Sequence, residues 1–459
     1  MATEGNLTQN LDDWLKQVGF VSGNPFATAN AEHERAILPE YFVDTGHYSL
    51  IVGDREVPRT TLVLAPRGAG KTAYRVMLEQ QGYPQSDALN ALVISYLSFD
   101  NFFEHNRATL RQALQCHLAT ILRLGLQRLH ATLECFPEIR TRIEPVSLQM
   151  LHALQHKYAP ELLPITVELA LPTPASTAME DFDTLVQLVQ QLDIDGLYIV
   201  VDRLDEQPET ADSPQAILEL LLPLLAHLPL MEHDRVAFKF FLPLEIEPLL
   251  RGTAKVRLDR LRAYTVEWSE MLLQQLLEKR LAAFSNGRIK ALAQLARTPL
   301  NETVDRELVQ WANHSPRHLL RLGELLMLEH IHRMSDDETL LTQEAWESAC
   351  AQFQRDYPLP SLSVDPLVPQ VRIGTRLIGL TPLEHKFLLT LYESHGWCEK
   401  EALILKVWDT TEGVTDQAVS RLVRRIREKI EPLPGTPFYL ITEHNQGFRL
   451  EHLQDSPSL

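Results

Sequence analysis

Several features that assign proteins to other classes are scarce or missing in this sequence. Its four cysteines are scattered without CxxC spacing, which argues against both a disulfide framework and a zinc site. No apolar run approaches the roughly 20 residues that a membrane-spanning helix needs. The first five residues lack the basic and then apolar pattern of a signal peptide. We therefore expect a cytoplasmic protein that has no membrane partner.

The rest of the composition is that of a soluble globular protein, with 45% hydrophobic and 23% charged residues among 459. A chain of this length has room for two or three domains, each with its own core. The formal net charge is −18, and most of it lies before residue 356. Because so acidic a body should repel DNA, we expect any DNA contact to be confined to the C-terminal tail.

A glycine-rich turn between an apolar run and a helical segment is the most informative motif. Glycines let backbone N–H groups turn toward phosphate oxygens, and the N-terminus of the following helix favours the same anion. Lys71 would reach the β- and γ-phosphates of a nucleotide, and the Thr72 hydroxyl would bind Mg²⁺. Ala65 stands where the strict GxxxxGK[ST] pattern has its first glycine. The predicted nucleotide-binding residues are Ala65, Pro66, Arg67, Gly68, Ala69, Gly70, Lys71, Thr72 and Ala73.

An acidic group follows a second apolar run, at residues 196–201, which has the length of a buried parallel strand. Asp202 would lie at the carboxyl end of that strand, where α/β sheets place ligands, and is the second predicted Mg²⁺ ligand. Glu206 is the first candidate to orient the attacking water, and Asp205 is the alternative for this role. Alternatively, these acids have no role in binding or catalysis and are simply the solvated end of a strand.

The motifs APRGAGKT and VVDRLDE together resemble those of the STAND/NACHT branch of P-loop ATPases, which is AAA+-related and belongs to the ASCE class. That branch typically has VDGLDE, and the ordinary AAA+ pattern has a glutamate where Arg203 stands here. The resemblance implies ATP and Mg²⁺ as cofactors. It also implies a slow switch ATPase rather than a fast motor, with any turnover converting ATP and water to ADP and phosphate, and a homo-oligomer in the ATP state.

Apolar strands and helices alternate around these motifs, which predicts a three-layered α/β fold with a parallel sheet. We expect strands at about 60–65, 91–97, 196–201 and 235–242. The predicted domains are a segment leading to the nucleotide site at 1–55, the P-loop ATPase core at 56–267 and a helical lid at 268–355.

The lid is predicted where leucines recur at helical spacing, from about residue 268. Within it, Ser315 fits the N-cap of a helix and Pro316 fits the first helical position. This stretch resembles the sensor-2 region of AAA+ and STAND lids, which implies a catalytic contact of Arg317 with the γ-phosphate. A capped helix with a surface arginine is the alternative.

Prolines and serines at residues 356–366 predict a linker, and residues 367–453 are predicted to form a separate small domain. The segments LTPLEHKFLLTLYESHGW, VTDQAVSRLVRRIREKIE and FYLITEHNQGFRL resemble the first helix, the recognition helix and the wing of OmpR/PhoB-type winged helix-turn-helix domains. The resemblance implies a small α+β fold that binds double-stranded DNA.

The third helix of this tail, at about residues 416–431, carries the strongest DNA signal. Its apolar side chains fall on one face and should pack inward; they are Val419, Leu422, Val423, Ile426 and Ile430. Arginines on the opposite face can contact guanine edges or phosphates in the major groove. The predicted DNA-binding residues are Gln417, Ser420, Arg421, Arg424, Arg425 and Arg427 on the helix and His444 in the wing. A solvated basic face on an interaction domain is the alternative.

Three functions are compatible with this organisation. The leading hypothesis is an ATP-dependent switch whose nucleotide state controls the DNA-binding winged helix, in transcription regulation or defence sensing. A DNA-loading or remodelling ATPase resembling origin-recognition initiators has the same domain order, but Arg203 and the acidic body argue against it. The third is a signalling scaffold whose winged helix binds protein.

Overall fold

The computed structural model divides the chain into two compact units, residues 28–279 and residues 1–27 with 280–459. It describes residues 2–53, 58–82, 89–104, 109–141, 143–163, 176–211, 213–334, 339–358, 360–374, 376–410, 414–431, 437–443 and 446–453. No helix in these described ranges is long and apolar enough to cross a membrane.

The unit of residues 28–279 is built on a sheet of five parallel strands in the order β2-β3-β4-β1-β5. The strands are β1 (Thr61–Ala65), β2 (Ala91–Tyr96), β3 (Gly196–Val201), β4 (Val236–Pro243) and β5 (Arg262–Thr265). Every residue of β1, β3 and β4 is buried, and apart from Thr61 and Lys239 these runs are apolar on both faces. The fold is therefore the predicted three-layered α/β P-loop fold, with helices covering the sheet.

Helices connect the strands of this unit. Residues Leu110–Cys135 form a long helix that packs on β2 and on the helix Ala178–Gln191. The helices are Leu38–Tyr41, Tyr48–Val52, Lys71–Gln81, Asp100–Glu104, Leu110–Cys135, Pro137–Arg140, Pro145–Tyr158, Ala178–Gln191, Pro214–Leu225, Leu228–Met231 and Glu247–Gly252, with 3₁₀ turns at Pro160–Leu162 and Leu244–Ile246. A further helix, Glu270–Phe284, begins in this unit and ends in the other.

The strand register brings the two predicted motifs to the same edge of the sheet. β4 lies between β1 and β3 and pairs with both, with Ala65 opposite Pro243 and Val201 opposite Phe240. Parallel strands two positions apart are about 10 Å from each other. The residues that follow Ala65 and Val201 therefore begin within reach of one bound ligand.

The second unit begins with a helical part, into which the first 27 residues of the chain are folded. The indole nitrogen of Trp14 donates to the Thr339 carbonyl at 2.9 Å, and its ring contacts His330 at 4.8 Å. Gly323 permits close packing, because a Cβ there would lie 2.4 Å from the ring of Phe26. The helices are Ala2–Val18, Val304–Trp311, Pro316–Arg333 and Gln343–Asp356, with 3₁₀ turns at Leu292–Leu295 and Leu300–Glu302.

The same unit ends in a small α+β domain with one apolar core made of residues 362–450. Two antiparallel sheets, in the orders β6-β7-β8 and β10-β11-β9, flank three helices. The helices are Pro382–Glu393, Lys400–Trp408 and Asp416–Ile430, the last called the recognition helix below. The strands are β6 (Leu362–Val364), β7 (Gln370–Ile373), β8 (Arg376–Gly379), β9 (Trp397–Glu399), β10 (Leu440–Glu443) and β11 (Gly447–Leu450). This is the predicted winged helix fold.

Strand β6 lies inside the stretch assigned to the linker from its prolines and serines. Leu362 and Val364 are buried in the domain core, while Ser363 between them is half-buried. This alternation is that of a half-buried strand, so residues 362–364 belong to the winged helix domain and the connecting segment is shorter than predicted.

Candidate functional site

The loop between β1 and the helix Lys71–Gln81 has the backbone of a phosphate cradle. Gly68 and Gly70 have φ angles of 81° and 90°, which only glycine adopts readily. Gly70 is the N-cap of the helix, and a Cβ there would meet nothing within 4 Å, so the space in front of the helix N-terminus is open. The indole nitrogen of the buried Trp268 donates to the Ala69 carbonyl at 2.9 Å and holds the loop in place.

The P-loop lysine is paired with a carboxylate from the second motif. Lys71 is only 8% exposed, and its Nζ lies 3.4 Å from Oδ2 of Asp205. Arg67 lies on the other side of the same carboxylate, with its Nε at 3.6 Å, and also donates to the Ala211 carbonyl. Two cations of the P-loop therefore converge on one anion, which is the charge arrangement that a phosphate group would meet.

Thr72 and Asp202, the two residues predicted to bind Mg²⁺, lie close together. Asp202 follows β3 directly and is buried, and its Oδ2 lies 3.5 Å from the Thr72 hydroxyl. The described residues hold no cluster of three or more His, Cys, Asp or Glu side chains that could bind a metal alone. A hydroxyl, one carboxylate, phosphate oxygens and waters are the ligand set that suits Mg²⁺ at a nucleotide, so these residues fit the metal.

Asp202 also belongs to a buried ion-pair network that the sequence analysis missed. Arg75 is 1% exposed, and its Nε donates to Oδ2 of Asp202 at 3.0 Å. Its other nitrogens pair with Glu79, at 2.6 Å, and with Glu32. Burial favours a higher pKa for Glu79, but Arg75, Ser95 and Arg35 outweigh it and hold that pKa below its usual value. The sequence signal that could have indicated this network is an arginine on the buried side of the P-loop helix, because a buried charge requires partners of opposite charge.

The two acids proposed to orient water lie in different surroundings. Asp205 contacts Lys71, whereas the side chain of Glu206 is 62% exposed and lies 3.6 Å from the Nε of Arg203. Arg203 also pairs with Glu32 and has a φ angle of 63°, a left-handed conformation that suits glycine better than arginine. The VDGLDE pattern has a glycine at this position, and glycine adopts such a φ angle without strain.

An aromatic group packs beside the P-loop helix within the segment predicted to lead to the nucleotide. The rings of Phe42 and Tyr48 lie 5.2 and 5.7 Å from the ring of Tyr74. The Tyr74 hydroxyl bonds to the Thr45 hydroxyl at 2.8 Å, and burial raises the pKa of Tyr74. Residues 42–48 are thereby fixed against the helix that begins with Lys71.

Arg317 lies in the other unit, as the second residue of the helix Pro316–Arg333, and its side chain is exposed. The predicted helix start is confirmed, since the Ser315 hydroxyl accepts from the backbone N–H of His318 at 3.3 Å. The contact of Arg317 with a γ-phosphate stays a prediction.

The recognition helix has the predicted two faces. Its five apolar residues are buried in the domain core, while Gln417, Ser420, Arg421, Arg424 and Arg425 are exposed. Within the described residues, neither Arg421 nor Arg425 forms an ion pair. Arg424 pairs with Glu428 at 2.9 Å, but an exposed pair of this kind contributes little and is easily replaced. These three guanidinium groups can therefore contact a ligand.

Arg427 has a different environment from the other arginines of this helix. Its guanidinium donates to the Leu440 carbonyl at 2.8 and 3.0 Å and to the Thr442 hydroxyl at 2.7 Å. Burial lowers the pKa of Arg427. Arg427 therefore joins the helix to strand β10, beside a cleft of about 340 Å³ between the helix and the β10–β11 hairpin. The predicted DNA-binding residue of the wing, His444, lies outside the described residues.

Comparison with known proteins supports the C-terminal assignment. Residues 374–450 match the family model described as "Transcriptional regulatory protein, C terminal", which confirms the OmpR/PhoB-type resemblance of the tail. The chain matches no curated protein.

Similar solved structures include one domain of this kind and two larger chains. The Klebsiella pneumoniae RstA DNA-binding domain, solved in complex with RstA box, is 24% identical over 20% of this chain and 92% of its own, with a TM-score of 0.19. Aeropyrum pernix ORC2 is 12% identical over 92% of this chain and 90% of its own, with a TM-score of 0.36. The Thermotoga maritima RuvB Holliday junction branch migration motor is 12% identical over 86% of this chain and 85% of its own, with a TM-score of 0.31. The family match therefore identifies one part of this protein, a transcriptional regulatory C-terminal domain at residues 374–450.

Proposed function

We propose that this protein is a STAND-like, ATP-dependent regulatory switch in which the nucleotide state of the P-loop unit controls DNA binding by the winged helix. One observation carries the proposal: a P-loop with paired Thr72 and Asp202 is joined in one chain to a domain that matches transcriptional regulators. Such a pairing of a nucleotide site with a DNA-binding domain would suit either transcription control or defence sensing.

The residues of the P-loop unit would divide the work of binding the nucleotide. The backbone of residues 66–70 would cradle the phosphates, and Lys71 would exchange its partner Asp205 for the β- and γ-phosphates. Thr72 and Asp202 would hold Mg²⁺, which neutralises phosphate charge when it is bound. The aromatic group around Tyr74 lies beside this site and is a candidate wall for the nucleotide base.

The same contacts support slow turnover. Arg75 donates to the carboxylate oxygen of Asp202 that Thr72 also approaches, so a metal ion competes with a buried guanidinium for that oxygen. At the position after Asp202, Arg203 supplies no carboxylate to act on water. Asp205, once phosphate displaced it from Lys71, would be the acid available to act on water. The reaction would convert ATP and water to ADP and phosphate.

The C-terminal domain would bind double-stranded DNA through its recognition helix. Gln417, Ser420, Arg421, Arg424 and Arg425 are exposed on the face opposite the core, and arginine suits both guanine edges and phosphates. Arg427 would act through the wing, because it fixes β10 against the helix. By the STAND resemblance, the ATP-bound form would assemble into a homo-oligomer.

ATP turnover with and without duplex DNA separates this function from its two rivals. A switch turns over slowly and is little affected by DNA, whereas a DNA-loading ATPase is strongly stimulated by it. The variant Lys71→Ala serves as the control for contaminating activity. Strong stimulation of the wild type by DNA would favour the loader, and a winged helix that binds no duplex would favour the protein scaffold.

A further inference from the structure

The helical part of the second unit contacts the winged helix domain through two aromatic side chains. Trp311 is the last residue of the helix Val304–Trp311, and Phe438 precedes β10 in the winged helix domain. Their ring centroids are 5.0 Å apart and the rings are nearly perpendicular, at 80°. This edge-to-face geometry is a favourable one for aromatic pairs and fixes their relative orientation.

The chain around Phe438 is held tightly by the end of the recognition helix. Glu431 caps that helix, and its carboxylate accepts the backbone N–H groups of Phe438, Tyr439 and Leu440 at 2.6–3.0 Å. Arg427 of the same helix donates to the Leu440 carbonyl at 2.8 Å. Because charge-assisted hydrogen bonds are strong, a displacement of Phe438 would carry the end of the recognition helix with it.

On its other side, the aromatic contact continues into the helix start that carries Arg317. The ring of Phe353 lies 6.4 Å from that of Trp311 and 5.6 Å from that of His318, the residue after Arg317. The linker is fixed as well, since Tyr357 stacks on Phe353 at 4.9 Å. At its far end, the Tyr439 hydroxyl donates to the Pro360 carbonyl at 2.8 Å.

We propose that the Trp311–Phe438 contact is the element that couples the helical lid to the DNA-binding helix. The contact holds the end of the recognition helix in one orientation relative to the helix start at Arg317. A movement of the N-terminus of the helix Pro316–Arg333 would displace Phe438 through the contacts of His318, Phe353 and Trp311. The inference rests on the proposed function, in which Arg317 responds to nucleotide, and adds the route by which the response reaches the DNA-binding surface.

The test measures duplex DNA affinity of the full chain with ATP and without nucleotide, using a duplex selected from a random pool with residues 360–459. The quantity compared is the ratio of the two DNA affinities, the larger divided by the smaller. Allosteric couplings usually change affinity by ~5–150-fold, so this ratio should be about 5 or more for the wild type. Trp311→Ala and Phe438→Ala should both bring the ratio to about 1 while nucleotide affinity stays unchanged. Trp311→Phe, which keeps a ring, and Leu377→Ala, which truncates an exposed apolar side chain of the same domain, should retain it.

The outcomes distinguish the inference from the proposed function. A wild-type ratio that survives in both alanine variants would overturn the inference and leave the switch intact. A wild-type ratio of 1 would overturn the switch and the inference together. Circular dichroism of each variant verifies folding, and a loss confined to one alanine variant that also unfolds would count against the contact as the coupling element.

Discussion

The Nζ atom of Lys71 lies 3.4 Å from Oδ2 of Asp205, so the P-loop lysine is paired with the later acid of the motif and not with Asp202. Asp202 instead bonds to Arg75 and lies beside Thr72. The two carboxylates therefore have separate surroundings, one beside the P-loop cations and the other beside Thr72 and Arg75. This separation is the basis of the first two predictions.

Lys71→Ala is expected to weaken ATP binding by at least ~2 kcal/mol, or roughly 30-fold, because it removes a nearly buried charge that would contact phosphate. Titration with a fluorescent ATP analogue measures the effect. Lys255→Ala, at an exposed lysine of the same unit, is the matched control and should bind as the wild type does. Wild-type affinity in Lys71→Ala would remove the nucleotide assignment.

Asp205→Asn and Glu206→Gln are expected to differ in turnover while both retain ATP. Asp205 contacts the P-loop cations, so its loss should slow hydrolysis by ~10²-fold or more, as for a general base. Glu206 is 62% exposed and should matter much less. Single-turnover phosphate release measures both. If Glu206→Gln lost more turnover than Asp205→Asn, Glu206 would be the residue that orients the attacking water. Normal turnover in both variants would show that another residue of the chain has this role.

The strands that carry the site could be predicted from sequence because their signals are local. β1 and β3 are continuous apolar runs that end directly at the P-loop and at Asp202, and the recognition helix has one apolar face. Strands β5 and β9 lacked such a signal, since they have four and three residues and are partly exposed. Short strands of this kind are defined by their partners rather than by their own composition.

Contacts between distant parts of the chain could not be predicted. Arg75 reaches Glu32 and Asp202, which lie 43 and 127 positions away along the chain. Trp14 bonds to the Thr339 carbonyl, 325 positions away, and so the first residues pack against the helical part that contains the helix Pro316–Arg333. The sequence around each of these residues does not indicate its partner, because tertiary packing determines which distant residues meet.

A buried lysine in the centre of the sheet predicts a pH dependence of stability. Lys239 lies in β4, and its Nζ donates to the carbonyls of Arg59 and Val52 at 2.7 and 3.2 Å. Burial, aided by the charge of Arg262, lowers the pKa of Lys239 to about 7. An unfolded lysine titrates near 10.4. Between these values the unfolded state binds more protons, so this lysine makes the free energy of unfolding rise with pH.

Lys239→Met should therefore flatten the rise of stability between about pH 7 and about pH 10. The difference in unfolding free energy between wild type and variant should change by at most about 5 kcal/mol across this window. Chemical unfolding at several pH values measures it, with Lys255→Met as the exposed control. Parallel curves for the wild type and Lys239→Met would show that this lysine does not titrate in the window.

The arginines of the recognition helix are tested in the isolated tail, residues 360–459, whose core cluster of residues 362–450 is self-contained. Arg421→Ala with Arg424→Ala should weaken duplex binding by roughly tenfold or more and reduce its salt dependence. The fold should persist because both side chains are exposed. Arg372→Ala with Arg376→Ala removes the same charge from the sheet of β6–β8 and is the control. Equal losses in both double variants would indicate a general charge effect rather than groove contacts.

The nucleotide dependence of DNA binding by the full chain tests the central claim most directly. Affinity for a duplex selected with the isolated tail is measured in ATP, in ADP and without nucleotide, for the wild type and for Lys71→Ala. The account predicts that wild-type affinity changes by ~5-fold or more between ATP and no nucleotide, as for other couplings between sites, and that the change disappears in Lys71→Ala. A wild-type affinity that is the same in all three conditions would contradict it.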